Sequence, residues 1–195
     1  MTKSSALILG YHGCDEKTGL NALNLGLNLS PSKRDYDWLG PGIYFWENDP
    51  DRALEWAENK AKSGSYKNPY VIGAVIDLRN CLDLTLRENL ELLKSAFDGL
   101  KALCEAAGDP MPENKDKGSK IDGDKLLRFL DCAVIKYLHQ VIAEQQARIE
   151  PFDTVRGLFI EGKPLYPGGG FYKHSHTQIA VINPVCIKGV FKPRP

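Results

Sequence analysis

The residues of this chain that could do chemistry fall into a few tight groups. His12 and Cys14 alternate near the N-terminus, and His174 and His176 repeat that spacing near the C-terminus. Between them, Gly40-Pro-Gly42 leads into Tyr44, Phe45 and Trp46, and Gly168-Gly-Gly170 leads into Phe171 and Tyr172. A phosphate cradle needs a GxGxxG or GxxxxGK[ST] run ahead of a helix; neither glycine cluster has that spacing, so both read as turns. A metal needs three or four converging ligands, and two pairs in strand-to-loop contexts do not assemble them, so no metal is expected. Cys14 lies two residues from His12, yet neighbours on an extended segment need not meet. It reads as a small core residue rather than a nucleophile. Asp77, Asp83 and Glu161 are candidates for a carboxylate pair that spacing alone does not bring together.

Three segments taken in chain order carry more weight: Tyr11-His-Gly-Cys14, Gly40-Pro-Gly-Ile-Tyr-Phe-Trp46 and His176-Thr-Gln-Ile-Ala-Val-Ile182. Together they resemble the diphtheria-toxin-like and poly(ADP-ribose)-polymerase-like ADP-ribosyltransferases. A wider span, including Arg52-Ala-Leu-Glu-Trp56, Leu165-Tyr-Pro-Gly168 and Asn183-Pro-Val-Cys-Ile-Lys188, resembles small bacterial, toxin-like proteins of that superfamily. The resemblance covers both ends of the chain and leaves residues from about 86 to 147 without a family motif.

The resemblance implies a split antiparallel β-sandwich with a central helical insertion, binding NAD as substrate. His12 would bond an NAD ribose hydroxyl, Gly13 would offer its backbone to the nicotinamide amide, and Tyr44 would stack on the ring, with Tyr36 and Gly42 completing the cofactor-binding set. These are also the residue types that a flat, amide-bearing ring demands on general grounds. His12, Tyr44 and Gln178 would be the catalytic set, a His-Tyr-Gln variant of the family's His-Tyr-Glu. Gln178 can bond the ribose but cannot act as a base or cancel positive charge, so Glu161 and Glu47 are the substitute carboxylates to test. Phe171, Tyr172, His174 and His176 fall in the loop where relatives choose their acceptor, and aromatics interleaved with basic groups suit a nucleic acid or a protein surface.

The implied activity is mono-ADP-ribosyl transfer to a macromolecular acceptor, in a bacterial toxin or effector with a neutralising antitoxin or immunity partner. Three alternatives stay open: an NAD or ADP-ribose-binding module with little activity, an NAD glycohydrolase, and an RNA 2′-phosphotransferase. The last should depend on several arginines and histidines around a phosphate, and few lie near these motifs.

The elements that must position these groups read as follows. Residues 6–14 form a core strand ending in a turn, residues 19–29 a short helix and then an extended segment, and residues 30–38 a polar loop with Lys33, Arg34, Tyr36 and Trp38. The aromatic run to Trp46 is a strand, and Asn48 or Asp49 caps a helix with Pro50 in its first turn, ending near Gly64. Residues 69–77 form a strongly β-branched strand. Residues 86–107 and 126–147 have helical periodicity, and residues 113–124 read as a charged, mobile loop. Strands over 155–161, 177–183 and 186–191 close the chain. Strands at both ends with helices between them predict one α+β domain over residues 1–195.

Composition sets the outer limits. The 195 residues carry 25 Lys+Arg and 25 Asp+Glu, a formal net charge of zero, so any polyanion must be met by a local patch. Five cysteines without a CxxC pair fit free thiols in a reducing compartment. The apolar run near the N-terminus is far short of a signal core or a membrane span, so the expected location is the cytoplasm of the producing or a target cell.

Overall fold

The computed structural model describes residues 7–26, 29–117, 123–144 and 150–194. β1 (Leu7–Asp15) runs directly into α1 (Glu16–Leu25), because Asp15 ends the strand and caps the helix, accepting from Lys17 N at 3.2 Å. β2 (Ile43–Glu47) follows the Gly40–Gly42 turn. α2 (Pro50–Lys62) starts with Pro50 in its first turn and Asp49 as cap, accepting from Arg52 N at 2.9 Å. Then come β3 (Pro69–Asp77), β4 (Cys81–Asp83), α3 (Arg87–Ala107), α4 (Phe129–Glu144), β5 (Thr154–Phe159), β6 (His176–Val181) and β7 (Ile187–Phe191). α4 begins later than the expected Leu126, because Leu127 is held in a backbone bridge with Lys115. Asn114 Oδ1 then accepts from Leu130 N at 2.9 Å, capping the helix from the charged insert. The expected mobile loop lies partly outside the described residues, at 118–122, as does the expected end of α4 at 145–147 and the first residue of the N-terminal strand.

All seven strands join one sheet in the order β4-β5-β6-β2-β1-β3-β7, so strands from the two ends of the chain do lie side by side in an α+β fold. Pairing is antiparallel except between β4 and β5, where Cys81–Asp83 runs parallel to Thr154–Arg156. That departs from the all-antiparallel expectation. Its cause is the connection: α3 and α4 form the long crossover that a parallel neighbour requires. β1 pairs with β3 along its whole length, from Leu7↔Asp77 to Asp15↔Pro69, but with β2 only at Gly10↔Glu47 and Tyr11↔Trp46. Beyond Tyr11 these two central strands part.

Register fixes which side chains share a face. Tyr11 stands opposite Trp46, Trp46 opposite Gln178, Gln178 opposite Gly157 and Tyr44 opposite Ala180. With the period of two along each strand, Gly13, Tyr44, Trp46, Gln178 and Phe159 therefore look to the same side. α2 covers that side over β1: a Cβ on Gly13 would stand 2.2 Å from the Ala53 carbonyl oxygen. α3 and α4 cover the same side farther along, where Val134, Ile135, Leu138 and Ile142 pack on Leu82, Val155 and Ala180. The reverse face buries Phe45, Ile72, Ile76, Ile179 and Val181 beneath Ala22 of α1. A trough is left between the two helical blocks, floored by β2 and β6.

Glu47 looks to the reverse face. Arg156 Nε and Nη2 reach it at 2.6 and 3.0 Å, and Nη1 reaches Asp83 at 2.9 Å, which ties β2, β4 and β5 together. Replacing one member of a part-buried charge network strands the others. Arg156→Met should lower unfolding stability by about 2–3 kcal/mol in urea, and Glu47→Gln on that background should recover part of the loss. An unchanged midpoint for Arg156→Met would contradict this role.

Candidate functional site

The trough is a cleft of about 590 Å³ whose lining includes His12, Gly13, Tyr36, Gly42, Tyr44, His176 and Gln178. Residues far apart in the chain are thus brought together. Of the expected acceptor loop, Phe171 and Tyr172 are exposed and outside the cleft, and His174 contributes its backbone carbonyl to His176. Backbone bonds Leu165 N to Phe171 O and Lys173 N to Lys163 O fold that loop into a hairpin extending β5 and β6 away from the cleft. Glu47 is also outside the cleft, on the reverse face, and is corrected as a candidate base. Glu161 lines the cleft.

His12 fills the gap where β1 and β2 part, its Nδ1 lying 2.7 Å from the Tyr44 carbonyl. A carbonyl only accepts, so Nδ1 carries the proton. Burial pushes the imidazole below its ordinary pKa, against the smaller upward pull of that bond. A neutral ring protonated at Nδ1 leaves Nε2 as an acceptor. Gly13 follows on the same strand. Leu9 O accepts from Asn48 N at 3.0 Å, which shows that the odd residues of β1 point their backbone groups toward β2. Pairing with β2 ends at Tyr11, so the N–H and C=O of Gly13 face the parting. Glycine at this position is required by α2, whose Ala53 carbonyl occupies the space of a side chain.

Tyr44 is held at both ends. Its hydroxyl donates to Gly40 O at 2.8 Å and accepts from Leu39 N at 3.0 Å, fixing the turn that feeds β2. Burial, and next Asp37, hold the phenol well above its ordinary pKa, so it offers a ring and not a base. Gly42 permits the close approach of β6, since a Cβ there would sit 3.1 Å from both Ala180 Cβ and Val181 O. Gln178 is buried, and its Oε1 accepts from Trp38 Nε1 at 2.6 Å. Its carbonyl is therefore committed and its NH₂ remains as a donor pair.

Around this floor stand Glu161 and His176, expected as a substitute carboxylate and an acceptor-loop residue, and Trp46 and Arg52, which had no expected role. Glu161 Oε2 is 2.7 Å from Arg52 Nη2 and 3.9 Å from His176 Nδ1. His176 donates Nδ1–H to the His174 carbonyl at 2.7 Å, stacks on Phe159, and is kept below the ordinary pKa mainly by burial. Trp46 Nε1 and Arg52 Nε are buried donors with no hydrogen-bond partner among the described residues. Such groups are met by a ligand or water in most proteins. Arg52 and Trp56 lie four residues apart on α2, a spacing that puts both on the helix face lining the cleft. Cys14 is buried with its thiol pushed up to about 11, mainly by burial, which fits a core residue. No group of three or more potential metal ligands occurs among the described residues.

A second, apolar cavity of about 720 Å³ lies between α3, α4 and β5 and shares Trp38 and Phe159 with the cleft. It holds none of the expected site residues.

No known family model matches the chain, and no solved structure matches it. An uncharacterized protein of Methanocaldococcus jannaschii is 29% identical over 153 residues, covering 76% of this chain and 63% of that protein. The chain thus spans less than two thirds of that relative's length. No described helix is long and apolar enough to cross a membrane.

His12, His139 and His176 are all held below the ordinary imidazole pKa, with burial the first cause in each. The unfolded chain binds protons that the native state refuses, so stability should be lost as pH falls through about 6.5. The lowered carboxyl groups of Asp15 and Asp83 add a separate loss only below the ordinary carboxylate range. Between pH 7.5 and 5.5 the Tm should fall, by about 2–4 °C for each kcal/mol lost. His139→Leu, outside the cleft, should reduce the fall. A flat profile would contradict the buried neutral histidines.

Proposed function

We propose that the protein is a mono-ADP-ribosyltransferase that binds NAD in the cleft and transfers ADP-ribose to a macromolecular acceptor. The observation that carries this reading is the parting of β1 and β2. It turns the N–H and C=O of Gly13 toward an open edge beside the Tyr44 ring, the donor-acceptor pair that a carboxamide on a flat ring needs. The same parting supports a split-sandwich reading of the sheet. His12 Nε2 accepts from a ribose hydroxyl and the Gln178 amide donates to a ribose oxygen, so the sugar is gripped by a matched acceptor and donor.

Catalysis breaks the N-glycosidic bond of NAD. The bonding electron pair leaves with nicotinamide, the anomeric carbon gains positive charge, and an acceptor nucleophile forms the new bond while giving up its proton. Gln178 can orient the sugar but cannot offset that charge. Glu161, the carboxylate beside His176, is the group within the cleft that does so and takes the acceptor's proton. It is ion-paired with Arg52 at 2.7 Å, and Arg52 has a diphosphate oxygen as an alternative partner. On this reading the protein works in the cytosol of its own or a target cell, held in check by a neutralising partner.

Binding without turnover is the second reading, favoured by the neutral amide of Gln178. Nicotinamide release from NAD separates the two. The wild-type chain should release nicotinamide, and His12→Ala and Tyr44→Ala should each reduce the rate about 100-fold. Glu161→Gln should reduce kcat about 10²-fold, with NAD affinity nearly kept. NAD binding without release selects the binding module. Neither binding nor release overturns the proposal.

A further inference from the structure

The cleft has an outer half beyond His12, Gly13, Tyr44 and Gln178, into which Tyr36 alone of the expected cofactor-binding set extends. It is built by Arg34 and Tyr36 of the loop before β2, by Trp56, Lys60 and Tyr66 of α2 and the segment after it, and by Lys117 ahead of α4. Three of these six are cations, and none forms an ion pair with a described carboxylate. Arg34 lies 5.8 Å from the centroid of the Tyr36 ring and Lys60 lies 5.0 Å from that of Trp56. Trp56 in turn meets Tyr66 edge to face at 5.8 Å. The three cations are close enough that Arg34 and Lys117, after burial, both push the Lys60 ammonium below its ordinary pKa. Like charges gathered this way are unfavourable until an anion joins them.

We propose that this strip binds a single-stranded nucleic acid and that such a strand is the acceptor of the transferase. Cations alternating with aromatic faces match phosphates alternating with bases, and every base has a face to stack. An acidic peptide would answer the charges and leave Tyr36, Trp56 and Tyr66 without a counterpart. A duplex keeps its bases stacked within itself and cannot offer them. Because the whole chain carries equal numbers of acidic and basic residues, the grip is local, which suits presentation of a few nucleotides to the inner cleft. The word acceptor rests on the transferase reading; the binding does not, and is measured without NAD.

The test is fluorescence anisotropy of a labelled twelve-nucleotide mixed-sequence strand, as RNA and as DNA, with the full chain at 50–200 mM KCl. Three phosphate contacts predict a log–log salt slope of about −2. Arg34→Ala and Lys60→Ala should each weaken binding about 5–10-fold and make the slope shallower by about 0.7. Trp56→Leu should weaken it for all sequences, and thermal unfolding should show each variant folded. A preference between the RNA and DNA arms identifies which strand the strip binds, and equal binding assigns both. Four results would overturn the proposal: no binding at 50 mM KCl, a slope unchanged in the cation variants, an acidic peptide bound as tightly as the strands, or an equal loss of NAD affinity in Arg34→Ala and Lys60→Ala. The last would give the strip to the donor and leave the NAD reading standing, whereas failure of NAD binding in the wild type would leave strand binding intact.

Discussion

The cleft depends on one interruption of the sheet. β1 and β2 are central neighbours, yet they pair at two positions and then separate, with His12 donating from Nδ1 to the Tyr44 carbonyl across the gap. That bond does three things together. It satisfies a backbone acceptor that has lost its strand partner, it fixes the histidine tautomer, and it leaves Nε2 as an acceptor. The gap also uncovers the backbone of Gly13. A sheet that paired continuously here would bury all of these groups in ordinary ladder bonds and hold no cleft.

The remaining elements keep the parting open and shaped. α2 presses against Gly13 so closely that a side chain there would meet the Ala53 carbonyl, and it delivers Arg52 and Trp56 to one wall. α3 and α4 pack on β5 and β6 to form the other wall, and Trp38, seated against Gly157 and Phe159, orients the Gln178 amide. On the reverse face the Arg156 network joins β2 to β4 and β5 where no functional group is needed. The Arg156 network and the Arg52–Glu161 pair thus lie on opposite sides of the sheet. The alternation of side chains enforces that separation: Glu47 and Trp46 are adjacent in sequence and cannot share a face.

Much of this is legible in the sequence. The aromatic run after Gly42, the Asp49-Pro50 helix start and the β-branched strand at residues 69–77 declare themselves through local rules, and the structure has each of them. The meeting of His12, Tyr44 and Gln178 was expected from a resemblance; register puts Tyr44 and Gln178 on one face, and His12, which alternation turns away from it, reaches the cleft through the parting. What stayed hidden was of longer range. Periodicity does not say that β4 would run parallel to β5, because that follows from the crossover. Nor does it separate Glu161 from Glu47 as neighbours of the cleft: Glu161 lies just beyond the end of β5 beside Arg52, and Glu47 on β2 faces Arg156 on the reverse side. Lys117 and Lys60 are ordinary surface lysines in sequence and become a cluster with Arg34 only when the fold brings three segments to one rim.

The proposed seat of the nicotinamide ring is the parting of β1 and β2, and a crystal structure of the chain soaked with NAD decides whether the ring lies there. The expected result is density for the ring against Tyr44, with its carboxamide bonded to the N–H and C=O of Gly13 and a ribose hydroxyl within hydrogen-bond distance of His12 Nε2. Density confined to the apolar cavity between α3, α4 and β5, or a nicotinamide pointing out of the cleft with Gly13 uncontacted, would contradict it.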